Sequence, residues 1–509
     1  MQINVLHNAK RNIVAGTVNK IIVLICPFIE RLFINSILGS EYLGIGSLYT
    51  SIISVLALSE LGFNSAMVYY MYKPVSEDDT NRINALLCFY RSVYRVVGLS
   101  ILLLGSLLIP FLPKLIKGSY PADLNLTRLY LIYLANAAVS YFLYAYLTPI
   151  IVVHQRDDIN SSINSLVKIV LLIVQVTILL YTKNYYLFSL ATLMFTVIGN
   201  LIQGWRVKKL FPQYKPEGRV SQNDKESIKK LVAGTFIQRT CVATRNSFDS
   251  ICISTFLGLT LTAIYNNYYL LIRGVASFVS IIATSFTGGV GNHVAIKSTA
   301  DNYREMKTLD FIYLWISGWC MICLLCLYQP FMLLWMGKNM MLPDSTVFLF
   351  CLYFYMLKLG DVRTLYSTAN GLWWEQRYRA ICETVLNLGL NIVLGKTLGV
   401  NGIILATMIS LFLCNYLWSV GIVFRLYFSI KRRKDYYYYQ GKHTVVTIMI
   451  AVVTYIICSA IPIKNTVLQI AVRSIVCLIL PNAFYYFFYK DTSQFQLLKN
   501  RILRGATKT

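Results

Sequence analysis

The chain has 509 residues, of which 56% are hydrophobic and only 14% charged, and its formal net charge is +25. Its mean hydropathy is +0.57. Soluble domains are about a quarter charged, so these values exclude a soluble globular protein and indicate an integral membrane protein.

Apolar stretches long enough to cross about 30 Å of hydrocarbon fall near 12–38, 42–72, 84–112, 124–153, 160–182, 185–206, 228–257, 262–292, 308–336, 344–371, 377–397, 401–428, 443–462 and 467–489. The expected fold is therefore all-α and membrane-integral, with fourteen spans. Its expected domains are an amino-terminal lobe of six helices with the inter-lobe loop (1–218), a second six-helix lobe (219–430), and two further helices with a basic tail (431–509). Lys10-Arg11 precede the first run without a small-residue cleavage site, so that run reads as a retained span.

A repeat underlies the two lobes. Val14-Ala15-Gly16-Thr17 recurs as Val232-Ala233-Gly234-Thr235, and Leu38-Gly39 recurs as Leu257-Gly258. Matched runs around a matched break indicate duplication. With an even number of spans per half, the repeats are parallel, an architecture of secondary transporters whose substrate site lies between halves.

Within the first span, Thr17, Lys20, Arg31 and Asn35 lie within about 60° of one another at 100° per residue, with Glu30 to one side. Glu60 lies in the second span. The third carries Arg91 and Arg95 one turn apart, and the fifth carries Lys168. A polar stretch from about Arg206 to Lys230, with Pro212, Pro216 and Gly218, reads as an inter-lobe linker. The seventh span is the most polar: Thr235, Gln238, Arg239, Arg245, Asn246 and Asp249 share about 120° of circumference, a stripe that cannot face lipid. The eighth carries Arg273 behind Tyr265, Asn266, Asn267, Tyr268 and Tyr269. Asp310 follows, then Lys358 with Asp361, which read as a satisfied ion pair, and Arg363 and Glu383 near span ends, which read as interfacial. Beyond the last span, Phe495, Leu497, Leu498, Ile502 and Leu503 interleave with Lys499, Arg501 and Arg504, the pattern of a helix lying on the inner surface.

Loop charges set the orientation. Loops on the amino-terminal side hold most of the lysines and arginines, including Arg156, Arg206 to Lys230, Lys297 to Lys307 and Lys431 to Lys434. The opposite loops hold few, among them Lys114, Lys117, Lys183, Lys338 and Lys464. Both termini are thus expected in the cytoplasm. The same asymmetry assigns the net charge to anionic lipid head groups and excludes nucleic acid as a partner.

No metal or cofactor is expected. The four histidines are far apart, and Cys320-x-x-Cys323-x-x-Cys326 falls mid-helix with no fourth cysteine placed to complete a cluster, so it reads as packing. The intramembrane cations Lys20, Arg31, Arg91, Arg95, Arg239, Arg245 and Arg273 are the candidate substrate-binding residues. Those in the inner half suit an anionic ligand entering from the cytoplasm, and arginine grips phosphate with a bidentate fork. Glu60, Asn246, Asp249 and Asp361 are the candidate coupling or cavity-lining polar residues. Asp249 either neutralises Arg245 or carries a coupling proton.

The fourteen spans, the two six-helix lobes with polar opening helices, and the stretch from Arg11-Asn12-Ile13 through Gly44 with its run ILGSEYLGIGSLYTSI resemble a family. It is the polysaccharide repeat-unit flippases (Wzx type) of the multidrug/oligosaccharidyl-lipid/polysaccharide (MOP) exporter superfamily. The resemblance implies alternating access of two lobes around a central cationic cavity. It implies a substrate that is an oligosaccharide on undecaprenyl pyrophosphate, turned from the cytoplasmic to the outer leaflet of the bacterial inner membrane. The diphosphate would meet Arg31, Arg239, Arg245 and Arg273, while the lipid tail stays in the bilayer. Polysaccharide polymerase and chain-length proteins are candidate partners. Two competing readings are a multidrug exporter, which favours an acidic cavity, and a membrane-embedded polymerase or glycosyltransferase. Against the enzyme, Glu77-Asp78-Asp79 and Asp157-Asp158 fall on cytoplasmic loops, the outer loops are short, and no nucleophile–base pair is apparent.

Overall fold

The computed structural model describes residues 5–57 and 63–506, and helix is the only regular secondary structure among them. Glu60 lies outside the described residues, as do the side chains of Thr235 and Gln238. The chain divides into two compact units, Met1–Ala263 and Ile264–Thr509.

The first unit holds α1 (Val5–Ile37), α2 (Ser40–Leu56), α3 (Phe63–Ser76), α4 (Thr80–Leu107), α5 (Leu126–Phe142), α6 (Thr148–Val153), α7 (Asp157–Thr182), α8 (Tyr185–Leu210) and α9 (Gln222–Leu257). α10 (Leu259–Ser285) begins in the first unit and continues into the second. The second unit continues with α11 (Thr287–Ile296), α12 (Thr299–Met336), α13 (Asp344–Lys358), α14 (Asp361–Ala369) and α15 (Arg377–Ser410). Two π-helical stretches, Leu411–Trp418 and Phe424–Phe428, flank α16 (Ser419–Val423), and α17 (Arg433–Ala460), α18 (Thr466–Tyr489) and α19 (Ser493–Ala506) complete the chain.

Local chemistry starts these helices where it should. Asp79, Asn125, Asn184, Ser221 and Ser298 each accept a backbone N–H of the first turn of α4, α5, α8, α9 and α12, satisfying donors that have no partner inside the helix. The duplication is written in these boundaries. α4 and α12 begin at Thr80 and Thr299, 219 residues apart, and the caps before α2 and α10, Gly39 and Gly258, both take positive φ. The helix that opens the second repeat, α9, packs on α2 and α3 inside the first unit, and Arg82 pairs with Asp224 at 3.0 Å to fix its start to α4.

Ten helices are long and apolar enough to cross a membrane among the described residues, eleven if the pair bent by 44° at α5–α6 is one span. Three predicted spans account for the difference from fourteen. The one at 42–72 is split between α2 and α3. α9 is too polar to qualify, for the reason the sequence showed. The segment from Arg377 to Phe428 counts as one span by length and composition, but Gly399 (φ 61°, ψ −136°) breaks it, and Asn387 donates to the Thr407 hydroxyl at 3.0 Å across the break, so its two arms lie side by side as the predicted spans 377–397 and 401–428. Large apolar side chains stand exposed along α4, α7 and α8 (Val96, Leu103 and Leu107; Leu166 and Ile173; Met194 and Trp205), as helices facing lipid do.

Within the second unit, α12 is the central strut, packing against α13, α17, α18 and α19. The tail helix is held by Arg501, which donates two hydrogen bonds to the Glu305 carboxylate at 2.8 and 2.7 Å.

Candidate functional site

The segment after α8 is no free linker. Phe211 to Val220 folds back over the amino-terminal end of α4 and the carboxy-terminal end of α6: the Lys215 N–H donates to Asn84 Oδ1 at 2.8 Å, and Tyr214 meets the His154 ring. The His154 Nδ1–H lies 2.8 Å from the Ile150 carbonyl and its Nε2 lies 3.2 Å from the Tyr214 hydroxyl. The first contact requires a proton on Nδ1 and the second is completed by Tyr214 donating to Nε2, which is the neutral ring. Burial lowers the His154 pKa below its ordinary value, with the Ile150 carbonyl pulling weakly the other way.

The fold-back walls a cavity of about 800 Å3. Arg91 and Arg95 enter it from α4, Lys208 from the last turn of α8, and Lys215 with Glu217 from the fold-back; Phe142, Tyr144 and Tyr146, at the α5–α6 bend, supply its aromatic wall. The Lys208 ammonium sits 4.2 Å from the centre of the Tyr144 ring, within cation–π range. Gly204 lets that ring lie against α8: a Cβ there would come within 2.3 Å of it. Four cations and one carboxylate thus face one aromatic-walled space. Such a set binds a multiply charged anion, with the arginines suited to phosphate oxygens and the rings to a sugar or prenyl face.

The other candidate residues are placed elsewhere. Lys20 is exposed on α1. Arg31 reaches from α1 to Ser47 Oγ on α2 at 3.4 Å and to the Ala263 carbonyl at 3.3 Å. It shares with Glu30 and Lys168 a polar patch beside the hydrogen-bonded Tyr133–Tyr185 pair. On α9, Arg239 is exposed, Asn246 half-buried, and Arg245 and Asp249 are buried one turn apart (6% and 0% exposed), each engaged by its surroundings. In the second unit Arg273 is exposed on α10. Asp361 accepts from Lys358 at 2.9 Å and from the Tyr313 hydroxyl, with Ser280 as the second partner of Lys358. Arg363 and Glu383, expected at an interface, are both buried: Arg363 donates to the Asn415 carbonyl at 2.8 Å, and Glu383 accepts from Arg379 at 2.6 Å.

Arg91 and Arg95 are the predicted pair that the structure brings into one cavity. Lys208 and Lys215 were legible only as loop charges, and Tyr144 gave no signal beyond a general aromatic content.

No family model matches the chain, and no curated protein matches it. Solved structures do. A lipid II flippase, MurJ, in an inward closed conformation superposes with a TM-score of 0.70 at 15% identity, covering 94% of this chain and 98% of its own. An inward-facing multidrug-resistance MATE transporter of the MOP superfamily gives 0.61 at 13% identity, covering 81% and 98%. This chain has the MOP transporter fold. A third MOP transporter, from Pyrococcus furiosus and described by a reversed polarity of its binding pocket, gives 0.55 at 11% identity over 82% of this chain and 95% of its own. The MOP fold is a multi-pass membrane architecture, consistent with the exposed apolar faces of α4, α7 and α8. At these identities the likeness is one of fold, and the chemistry has to come from the residues.

Proposed function

We propose that this chain is a lipid-linked oligosaccharide flippase of the polysaccharide repeat-unit type. It carries a sugar repeat unit on undecaprenyl pyrophosphate from the cytoplasmic to the outer leaflet of the bacterial inner membrane by alternating access. The observation that carries the reading is the cavity of Arg91, Arg95, Lys208 and Lys215, four cations against the single carboxylate of Glu217. A drug exporter selecting cations would place the opposite charge there. The cavity is built from the middle of α4, the end of α8 and the segment after it, and the last two belong to the side on which the loop lysines and arginines concentrate. That side is cytoplasmic by the loop-charge rule, and both termini lie there.

The fold supports translocation over catalysis, since the matching structures are a flippase and exporters. The diphosphate is held by the cavity cations, while the prenyl chain lies along exposed apolar residues such as Val96 and Leu99, next to Arg95 on α4. Arg31, Arg239, Arg245 and Arg273 are assigned to later positions of the same anion, and Asn246, Asp249 and Asp361 to cavity polarity or coupling.

The test is a cell lacking the gene, complemented with the wild type or with the double variant Arg91→Gln/Arg95→Gln. Complete repeat units should accumulate on undecaprenyl pyrophosphate in the inner leaflet of the null strain, and the double variant should fail to clear them although it reaches the membrane. Normal export in the null strain, with lost resistance to cationic drugs, would replace this reading by a multidrug exporter. Accumulation in the outer leaflet would replace it by a polymerase.

A further inference from the structure

Twelve cysteines are spread over the sequence, and four of them converge in the second unit. The Sγ atoms of Cys326 on α12, Cys458 on α17 and Cys477 on α18 all lie within 4.8 Å of one another, and the three residues are 0%, 0% and 1% exposed. Cys323, one turn before Cys326, also reaches Cys477 and is only half-buried. Two of the three cysteines of the C-x-x-C-x-x-C run, Cys323 and Cys326, are therefore joined by two more from other helices.

Two further features separate this cluster from thiols used as small apolar filler. Arg473 leans over it from α18. Its guanidinium donates to the Cys326 carbonyl at 3.1 Å, its charge acts on both Cys458 and Cys477, and its Nε is buried without a hydrogen-bond partner. A packing role gives no reason to hold a guanidinium there. The cluster is also clamped from the side, with Trp319 Nε1 donating to the Cys477 carbonyl at 2.8 Å.

We propose that Cys326, Cys458 and Cys477, with Cys323 on the open side, bind a thiophilic d10 cation, Zn2+. Metal–sulfur bonds of about 2.3 Å in a tetrahedral site put the sulfurs about 3.8 Å apart, so the observed spacing needs only a small closure. Thiolate ligands select zinc over hard ions. On binding, the three buried thiols release their protons to solvent, three S–Zn bonds form, a solvent water on the Cys323 side takes the fourth position, and no oxidation state changes. Three thiolates around a divalent ion leave one negative charge, which Arg473 cancels, so the loaded site is neutral in an apolar surrounding. Cys458 lies two residues from the end of α17, next to the α17–α18 loop. The ion staples the last two helices to α12.

The experiment uses full-length protein in detergent, kept reduced, stripped with a chelator and titrated with Co2+. One Co2+ per chain should raise a thiolate-to-metal charge-transfer band together with the visible bands of tetrahedral cobalt, and Zn2+ should bleach both. Cys477→Ser and, independently, Cys458→Ala should lose the bands while eluting as the wild type does. Cys88→Ser and Cys382→Ser should keep them. Absence of the charge-transfer band in monodisperse wild type, its persistence in both cluster variants, or isolation of the cluster as a disulfide two hydrogens lighter would each overturn the proposal.

Discussion

Gly39 and Gly258 stand 219 residues apart and hold nearly one backbone conformation, with φ/ψ of 106°/171° and 97°/177°. Each donates its N–H to a carbonyl five residues back, Ile34 and Ile253, both at 3.1 Å. This region of backbone space is open essentially to glycine alone. The Leu-Gly break shared by the two halves is therefore a helix-to-helix joint reproduced in three dimensions, and it sends α1 into α2 and α9 into α10 in the same way.

Alanine at these joints should separate strain from crowding. Gly39→Ala meets nothing within 4 Å, whereas a Cβ at Gly258 lies 3.0 Å from the Lys117 carbonyl. Both should lower stability by about 1–3 kcal/mol from backbone strain, with Gly258→Ala the worse. Thermal unfolding in detergent ranks them, and a neutral Gly39→Ala would contradict the strain.

Neutralising the cavity should weaken anion binding one charge at a time. Each of Arg91→Gln, Arg95→Gln and Lys208→Gln removes a charge-assisted hydrogen bond of about 1.5–3 kcal/mol, so affinity for a prenyl diphosphate should fall at least about tenfold. The salt dependence of binding should flatten with it. Binding isotherms at two ionic strengths read both, and unchanged affinity in all three variants would remove the cavity from recognition.

The Lys358–Asp361 pair is predicted to be coupled. The Lys358 side chain is 7% exposed and that of Asp361 31%. Lys358→Met leaves Asp361 with Tyr313 and partial solvent, which should cost about 2 kcal/mol, less than the about 3–5 kcal/mol of a fully buried pair. The double variant Lys358→Met/Asp361→Asn should recover part of that loss. Strictly additive effects in a double-mutant cycle would show that the two residues do not act together.

Acid should loosen the fold-back over the cavity. Because the folded pKa of His154 is lowered, its contribution to stability is complete above the unfolded value of about 6.5 and is lost as pH falls through the folded value. A proton on Nε2 also displaces the Tyr214 hydroxyl as donor. Melting temperature should therefore drop more steeply between pH 7 and pH 5 in the wild type than in His154→Gln. Parallel curves would place the pH sensitivity elsewhere.

Gly44, in the run that carried the family resemblance, turns out to serve packing. A Cβ there would lie 2.2 Å from the Leu259 carbonyl, so α2 meets the start of α10 backbone to backbone. Gly44→Leu should block that approach and cost more than the about 1–3 kcal/mol usual for overpacking, read as reduced yield and lower melting temperature of the folded protein.

The helices themselves were legible because apolar runs and caps are local signals. Arg91 and Arg95 were legible as a pair because one turn of helix puts them on one face, and Lys358 with Asp361 for the same reason. Lys208 and Lys215 were not, since they come from more than a hundred residues further along and looked like ordinary loop charge. Arg363 and Glu383 looked interfacial from their distance to span ends, but their burial depends on the π-helical carbonyls of Asn415 and Tyr416 and on Arg379, and hydropathy carries no trace of these. The polar stripe of α9 was visible; that α9 packs against α2 and α3 was not.

By itself, the sequence determined that this protein is a multi-pass membrane protein built as a duplicated bundle of helices. Hydrophobic length, loop charge and the residue before a helix act over a few residues, so a linear reading captures them. Tertiary structure alone decided which charges share a space and which thiols touch. Such neighbours are joined by side-chain packing between helices far apart in the chain, and an intramembrane charge reveals its partner only when the helix opposite is in place.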